Sequence, residues 1–314
     1  MTVAPTLPGT VTVRAPAKVN LELRVGARRP DGYHALATVF QAVSLHDEVS
    51  VAKWDDWDVV PAGTYASLIP TDGDNLAVRA ARLVAERAGI EESLSIRIDK
   101  DIPVAGGMAG GSADAAAALV AADHLWGVGL DREELAELAA RLGSDVPFAL
   151  VGGNSMASGR GEQLAPVLAR GTFNWVFAIS DTGLSTPAVY AECDRLREQD
   201  GADPVADPQI SDELMAALRQ GDAAALGRAL HNDLEPATFS LRPELRDLRD
   251  AGVEFGALGG IVSGSGPTVA FLTGSHEAAL DLSVSLAASD LCRDLRRARG
   301  PVHGAQIVTG PRPE

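Results

Sequence analysis

The chain has 314 residues, of which 46% are hydrophobic and 22% charged, and a net charge of −16. That balance supplies a large apolar core and fits two domains or one large one. So acidic a chain excludes nucleic acid and anionic membrane as main partners, because both would repel it. A small phosphorylated substrate needs only a local positive patch.

Aromatic residues are 4% of the chain, so Val, Leu, Ile and Ala must build the core. Cys193 and Cys292 form no Cys-x-x-Cys pair, which fits a reducing compartment. No basic or apolar signal segment opens the sequence, and no run of about 18 apolar residues occurs. The expectation is a cytoplasmic protein with no membrane segment. Only three lysines, Lys18, Lys53 and Lys100, stand against 24 arginines. A lysine in such a chain marks a place where a compact charge on a flexible stem serves better than a guanidinium.

Residues 11–25 alternate strictly, with Val11, Val13, Ala15, Ala17, Val19, Leu21, Leu23 and Val25 at the odd positions. This period of two predicts a half-buried strand, interrupted or bulged at Pro16. Lys18 and Asn20 then share the face away from the core, either solvated or functional. Pro30-Asp31-Gly32 is a turn, and Tyr33 and His34 follow it. An aromatic pair there either packs over a strand end or stacks on a flat ligand. Residues 36–51 predict strands with a turn at His46-Asp47-Glu48, and residues 54–72 a loop. Asp74 is expected to cap a helix reaching Ala88, and Leu94–Ile98 is a short strand.

Residues 103–118 organise the rest. Gly106, Gly107, Gly110 and Gly111 precede Ser112 and an alanine run that predicts a helix to Trp126. A glycine loop between a strand and a helix N-terminus is an anion site, since unpaired N–H groups and the helix dipole favour negative charge. It is neither the Walker A pattern nor Gly-x-Gly-x-x-Gly. Ser112 is the expected N-cap. Asp114 either complements the dipole or meets a phosphate through a divalent cation. A helix over 131–142 stops at Gly143, and Pro147 is expected to hold Val146 outside helical angles. Asp145 is either an Asx-turn residue or a rigidly held base.

A domain boundary is expected near Ala165-Pro166. Beyond it the pattern predicts a strand at 175–179, a loop at 180–187, and a helix carrying Tyr190. A linker at 199–211 precedes helices at 211–219, 222–231 and 243–251. Gly252–Phe255 and Ala257–Val262 read as strand or turn, followed by a second glycine turn at 263–268. A helix over 276–298 and a strand at 304–308 close a small α+β sandwich.

Three stretches stand in order: Ala15-Pro16-Ala17-Lys18-Val19-Asn20-Leu21, the 103–118 loop, and Ser263-Gly264-Ser265-Gly266-Pro267-Thr268. Together they resemble the signature of the galactokinase, homoserine kinase, mevalonate kinase and phosphomevalonate kinase (GHMP kinase) superfamily. Asp31-Gly32-Tyr33-His34 with Gly143-Ser144-Asp145-Val146-Pro147-Phe148 is similar to the 4-(cytidine 5′-diphospho)-2-C-methyl-D-erythritol kinase family within it. Two positions depart from the family loop. Ala109 replaces a glycine, which is tolerable only at negative φ, and Ala113 replaces a serine.

The resemblance implies an α+β, two-domain fold. A ribosomal-S5-like ATP-binding domain would span residues 1–165, and a ferredoxin-like substrate-side sandwich residues 166–314. It implies ATP-dependent phosphorylation of the 2-hydroxyl of the cytidylyl substrate with Mg2+, by a monomer or homodimer. Lys18 and Asp145 would be catalytic. Lys100, Pro103, Gly106, Gly107, Met108, Ala109, Gly110, Gly111 and Ser112 would hold ATP. Asn20, Tyr33, His34, Thr186 and Tyr190 would bind the substrate, its cytosine clamped by the aromatics. Ser112 and Asp114 are candidate Mg2+ ligands. Kinases of mevalonate or homoserine are the alternative of the same class, and a catalytically dead ligand-binding relative the alternative of a different class.

Overall fold

The computed structural model describes residues 9–309 apart from 31, 160, 162, 181, 202–206 and 293. Asp31 of the first turn, Arg160, Glu162, Asp181 of the 180–187 loop, and part of the expected linker lie outside the described residues.

Strands β1 (Val11–Arg28) and β2 (His34–Trp54) form a long antiparallel hairpin. The odd residues of β1 from Val11 to Leu21 are fully buried, as the alternation predicts. Its even face is not solvated, however: Lys18, Asn20 and Glu22 are buried too. The expected turn at His46–Glu48 is a bulge inside β2 instead. The ladder shifts there, with Pro16 opposite His46 and Ala17 opposite Val43. Pro16 cannot donate to the ladder, and the extra residues of β2 absorb the mismatch. Asp47 is thereby turned fully inward.

The chain continues through β3 (Asp58–Ala62), α1 (Leu76–Ala88) and β4 (Ser93–Asp99). Asn75, not Asp74, caps α1, its side chain accepting from the Ala77 N–H. Helices α2 (Gly110–Trp126), α3 (Arg132–Leu142) and α4 (Val146–Val151) follow, then β5 (Asn154–Ser158) and β6 (Gln163–Pro166). Val146 is helical after all, because a proline in the first turn removes no intrahelical bond. The alanines of α2 are almost all fully buried. Their small side chains let this helix lie in the middle of the core between the hairpin and α1.

The remaining elements are β7 (Phe173–Ile179), α5 (Thr186–Asp200), α6 (Asp212–Gln220), α7 (Ala223–Ala229), β8 (His231–Asn232), α8 (Glu235–Leu241) and α9 (Glu244–Glu254). Strands β9 (Gly259–Val262) and β10 (Val269–Thr273), α10 (His276–Ala288), β11 (Asp294–Gly300) and β12 (Gln306–Thr309) complete them. Residues 252–254 finish α9 rather than starting a strand. The expected helix over 276–298 stops at Ala288. Residues 294–300 are recruited as a strand by β7, and this pairing overrides the helical preference of their arginines.

Two sheets result. The first runs β12-β1-β2-β4-β3, with β5 also on β2, β6 on β5 and β8 on β1. The second runs β11-β7-β10-β9, antiparallel throughout. A division after residue 165 separates the two sheets, except that β8 and β12 come from the later half and pair with β1. A buried bridge also joins the halves: the Trp175 indole donates to Gln41 at 2.8 Å, and Gln41 donates to Asn154 at 2.8 Å.

Candidate active site

The glycine loop connects β4 to α2 and is pinned from both halves. The Lys18 backbone N–H donates to the Met108 carbonyl at 3.2 Å, and the Ser263 hydroxyl to the Gly107 carbonyl at 3.0 Å. Gly107 has φ +76°, and a Cβ there would lie 2.1 Å from the Ser263 carbonyl oxygen. No side chain fits at that approach. Met108 is fully buried as the apolar plug of the loop, and Pro103, Gly106 and Gly110 are buried beside it.

Helix α2 starts at Gly110, two residues before the expected cap, so Ser112 lies inside the first turn. Ala109 is the N-cap, with φ +60°. The expectation of negative φ at this position is overturned. An L-residue in the left-handed region costs about 1–2 kcal/mol, which the pinned loop sustains.

Three chambers surround the loop. The central one, about 270 Å³, is lined by Lys18, Asn20, Asp145, Gly107, Ala109 and Gly264 among others. A second, about 310 Å³, has apolar walls from Leu68, Ile69, Pro70, Leu76 and Val104, with Asp74, Asn75, Lys100, Gly111 and Asp114 as polar groups. A third, about 400 Å³, contains Tyr33, His34, Thr186, Tyr190 and Asp194. It shares Leu36, Thr186 and Tyr190 with the central chamber.

In the central chamber, the Lys18 ammonium stands 4.0 Å from the Asp145 carboxylate, with side-chain exposures of 6% and 32%. It also donates to Asn20 at 2.5 Å and lies 5.4 Å from the Phe40 ring centre. Asn20 in turn donates to the Thr38 hydroxyl at 2.9 Å, so its amide orientation is set. Burial pushes the Lys18 amine below its ordinary pKa, and the Asp145 charge opposes the shift. Asp145 occupies the position before α4, yet its side chain makes no capping bond. The Asx-turn alternative is therefore not realised, and the carboxylate faces Lys18.

Lys100 and Asp114 are placed otherwise than the sequence suggested. The Lys100 ammonium is clamped between Asp47 at 2.6 Å and Asp114 at 2.5 Å, and all three side chains are buried. Asp47 also accepts the backbone N–H groups of Asp101 and Ile102. Burial alone would lower the Lys100 pKa, but Asp114 and Asp47 outweigh it and raise it. Burial pushes the Asp114 carboxyl up to about 8, against the pull of Lys100. Asp114 Oδ1 is buried without a hydrogen-bond partner. Asp114 therefore neither caps α2 nor stands with Ser112: residues two apart on a helix face different ways. Asp47, which the sequence placed in a surface turn, was missed as the third member.

In the third chamber, His34 Nε2 lies 2.8 Å from Asp194, and its ring centre 5.0 Å from that of Tyr190. A neutral His34 then carries its proton on Nε2 and leaves Nδ1 as an acceptor. Tyr33 is more than half exposed at the mouth. Burial, and then the Asp145 charge, hold the Tyr190 phenol well above its ordinary pKa. Thr186 and Ser265 share a hydrogen bond of 2.8 Å, which brings the second glycine turn to this wall. Asp194 carried no spacing signal in the sequence, whereas Ser265 stands in the third of the signature stretches. They arrive from α5 and the β9–β10 turn through the tertiary fold.

The sequence matches the model of the GHMP kinases N-terminal domain over residues 75–153 and that of the GHMP kinases C-terminal domain over 214–289. It is 56% identical over 306 residues to a 4-diphosphocytidyl-2-C-methyl-D-erythritol kinase of Mycolicibacterium smegmatis, covering 96% of this chain and 94% of that one. The chain belongs to this family of GHMP kinases. A crystal structure of a 4-(cytidine 5′-diphospho)-2C-methyl-D-erythritol kinase superposes with a TM-score of 0.74 at 34% identity, covering 92% of this chain and 98% of that one. A homoserine kinase from Cytophaga hutchinsonii superposes almost as well, with a TM-score of 0.73 over 98% of this chain and 100% of that one, at 19% identity. The GHMP fold therefore does not choose the substrate.

Proposed function

We propose that this GHMP kinase transfers the γ-phosphoryl group of ATP to the 2-hydroxyl of 4-diphosphocytidyl-2-C-methyl-D-erythritol. One observation carries the proposal. The Lys18–Asp145 pair sits in the central chamber, which opens into a chamber with aromatic walls on one side and abuts the glycine loop on the other.

Asp145 accepts the hydroxyl proton as the oxygen attacks the γ-phosphorus. The bond from that phosphorus to the bridging oxygen breaks, and ADP leaves with the electron pair. Lys18 faces Asp145 across the chamber and meets the charge spread over the transferring phosphoryl oxygens. The first N–H groups of α2 and the loop at Gly107–Gly111 neutralise the nucleotide phosphates. The apolar slot between Leu76 and Val104 takes the adenine. Tyr33 and Tyr190 flank the cytosine, and His34 Nδ1 accepts from its exocyclic amine.

The donor set does not fit a resident Mg2+. Asp114 is already tied to an ammonium and Ser112 lies on another helix face, so magnesium enters as the counter-ion of ATP.

The test offers the cytidylyl alcohol, mevalonate and homoserine in turn, each with ATP and Mg2+. Turnover of the cytidylyl alcohol alone is expected. Turnover of mevalonate or homoserine alone would sink the assignment.

A further inference from the structure

A fourth cavity, of about 480 Å³, opens where the chain passes from β11 to β12 over the Pro16 bulge. It shares no lining residue with the three chambers of the site. Arg14, His46, Arg299 and His303 line it, and no carboxylate does. Pro16 and Val43 form an apolar floor.

This concentration runs against the rest of the molecule, whose net charge is −16. Glu48 meets Arg14 and lies 4.0 Å from His46 Nε2, but Arg14 Nε and one Nη both donate to the same Glu48 oxygen, which leaves the other N–H groups of that guanidinium without a carboxylate partner among the described residues. The Arg299 guanidinium has no carboxylate partner among the described residues; only its backbone N–H is engaged, by Ser44. His46 is oriented by its Nδ1, 3.0 Å from the Ser44 carbonyl. Neutral donors from Thr172 and Gln306 complete the wall.

We infer that this cavity is a second anion site, which binds a small organic phosphate independently of the kinase centre. Guanidinium forks match phosphate oxygens two at a time, and an unpaired one facing a cavity is the strongest anion donor a side chain offers. The volume lies in the range of small-molecule sites. The apolar floor accommodates the carbon part of such a ligand, while the two arginines hold its phosphate.

Isothermal titration calorimetry on the full chain tests this, with the kinase site saturated by a non-hydrolysable ATP analogue and inorganic diphosphate as the probe. Saturable one-site binding is expected. Arg299→Gln should weaken it at least about tenfold, the loss expected for a charged hydrogen bond, and Arg299→Lys by less. The KM for ATP should not change in Arg299→Gln, since Arg299 is exposed and lies outside the kinase chambers. The absence of saturable binding would overturn the proposal. So would diphosphate binding unchanged by Arg299→Gln, or an equal loss of ATP binding in that variant.

Discussion

Two buried lysines face carboxylates across the glycine loop, and they are built to opposite ends. Lys100 is gripped at 2.5 and 2.6 Å by two carboxylates that are themselves sealed from water. Lys18 faces a single, partly exposed carboxylate at 4.0 Å. A tight, fully buried ion cluster fixes backbone. Here it ties β2 to α2 and, through Asp47, to the chain entering the loop. A loose pair open to a cavity leaves room for reacting atoms between its members. The same two residue types thus give a brace in one place and a reaction centre in the other, and the difference lies in the count of partners and in access.

Substitutions can break this comparison. The largest effect is expected for Lys100→Met, which leaves Asp47 and Asp114 buried without the ammonium they share and should cost about 3–5 kcal/mol of stability in urea denaturation. A loss comparable to that of an ordinary surface change would mean that the cluster is no brace. Asp145→Asn should leave the unfolding midpoint nearly unchanged and cut kcat by at least about 10²-fold, as for a lost general base. A kcat near that of the parent enzyme would place the base elsewhere.

The pH dependence of stability separates the centres next. The Asp114 carboxyl titrates near 8, above its unfolded value. Its neutral form is the favoured one in the fold. The associated stability is complete below the unfolded pKa and drains away as pH rises through about 8. Asp114→Asn should therefore gain in Tm relative to the parent between pH 6 and pH 9 (roughly, spanning that titration), by several degrees in thermal melts. A gap that stays constant with pH would contradict the raised pKa. Tyr33→Ala sharpens the other side and is the smallest effect. It should raise KM for the cytidylyl substrate by about five- to tenfold, the worth of one aromatic contact. An effect confined to ATP would remove Tyr33 from the substrate chamber.

Much of this was legible in the sequence because it depends on local pattern. The alternation of β1, the alanine stripe of α2 and the glycine loop each follow from periodicity or backbone freedom. The scarcity of lysine drew attention to Lys18 before any geometry existed. What could not be read depends on partners distant in the chain. Spacing left Lys18 and Asn20 either solvated or functional because nothing in residues 11–25 reveals that the 263–268 turn covers that face. Lys100 looked like a phosphate ligand because its partner Asp47 was hidden in an apparent turn. Ala109 was expected at negative φ because its actual φ of +60° is imposed by contacts of Gly107 and Met108 with two other elements. Residues 294–298 looked helical because only β7 makes them a strand.

The pairing of Gln306–Thr309 with the start of β1 has a consequence for how the protein is made. On the ribosome, β1 emerges early but keeps an open edge until residues 306–309 have been synthesised. Through that interval its unpaired backbone groups are available to neighbouring nascent chains. Because the two strands run antiparallel, with Thr12 opposite Thr309, a circular permutant that joins them by a short turn would turn this late closure into a local hairpin. Such a rearrangement replaces the most distant pairing in the sheet with one of low contact order, and should speed refolding.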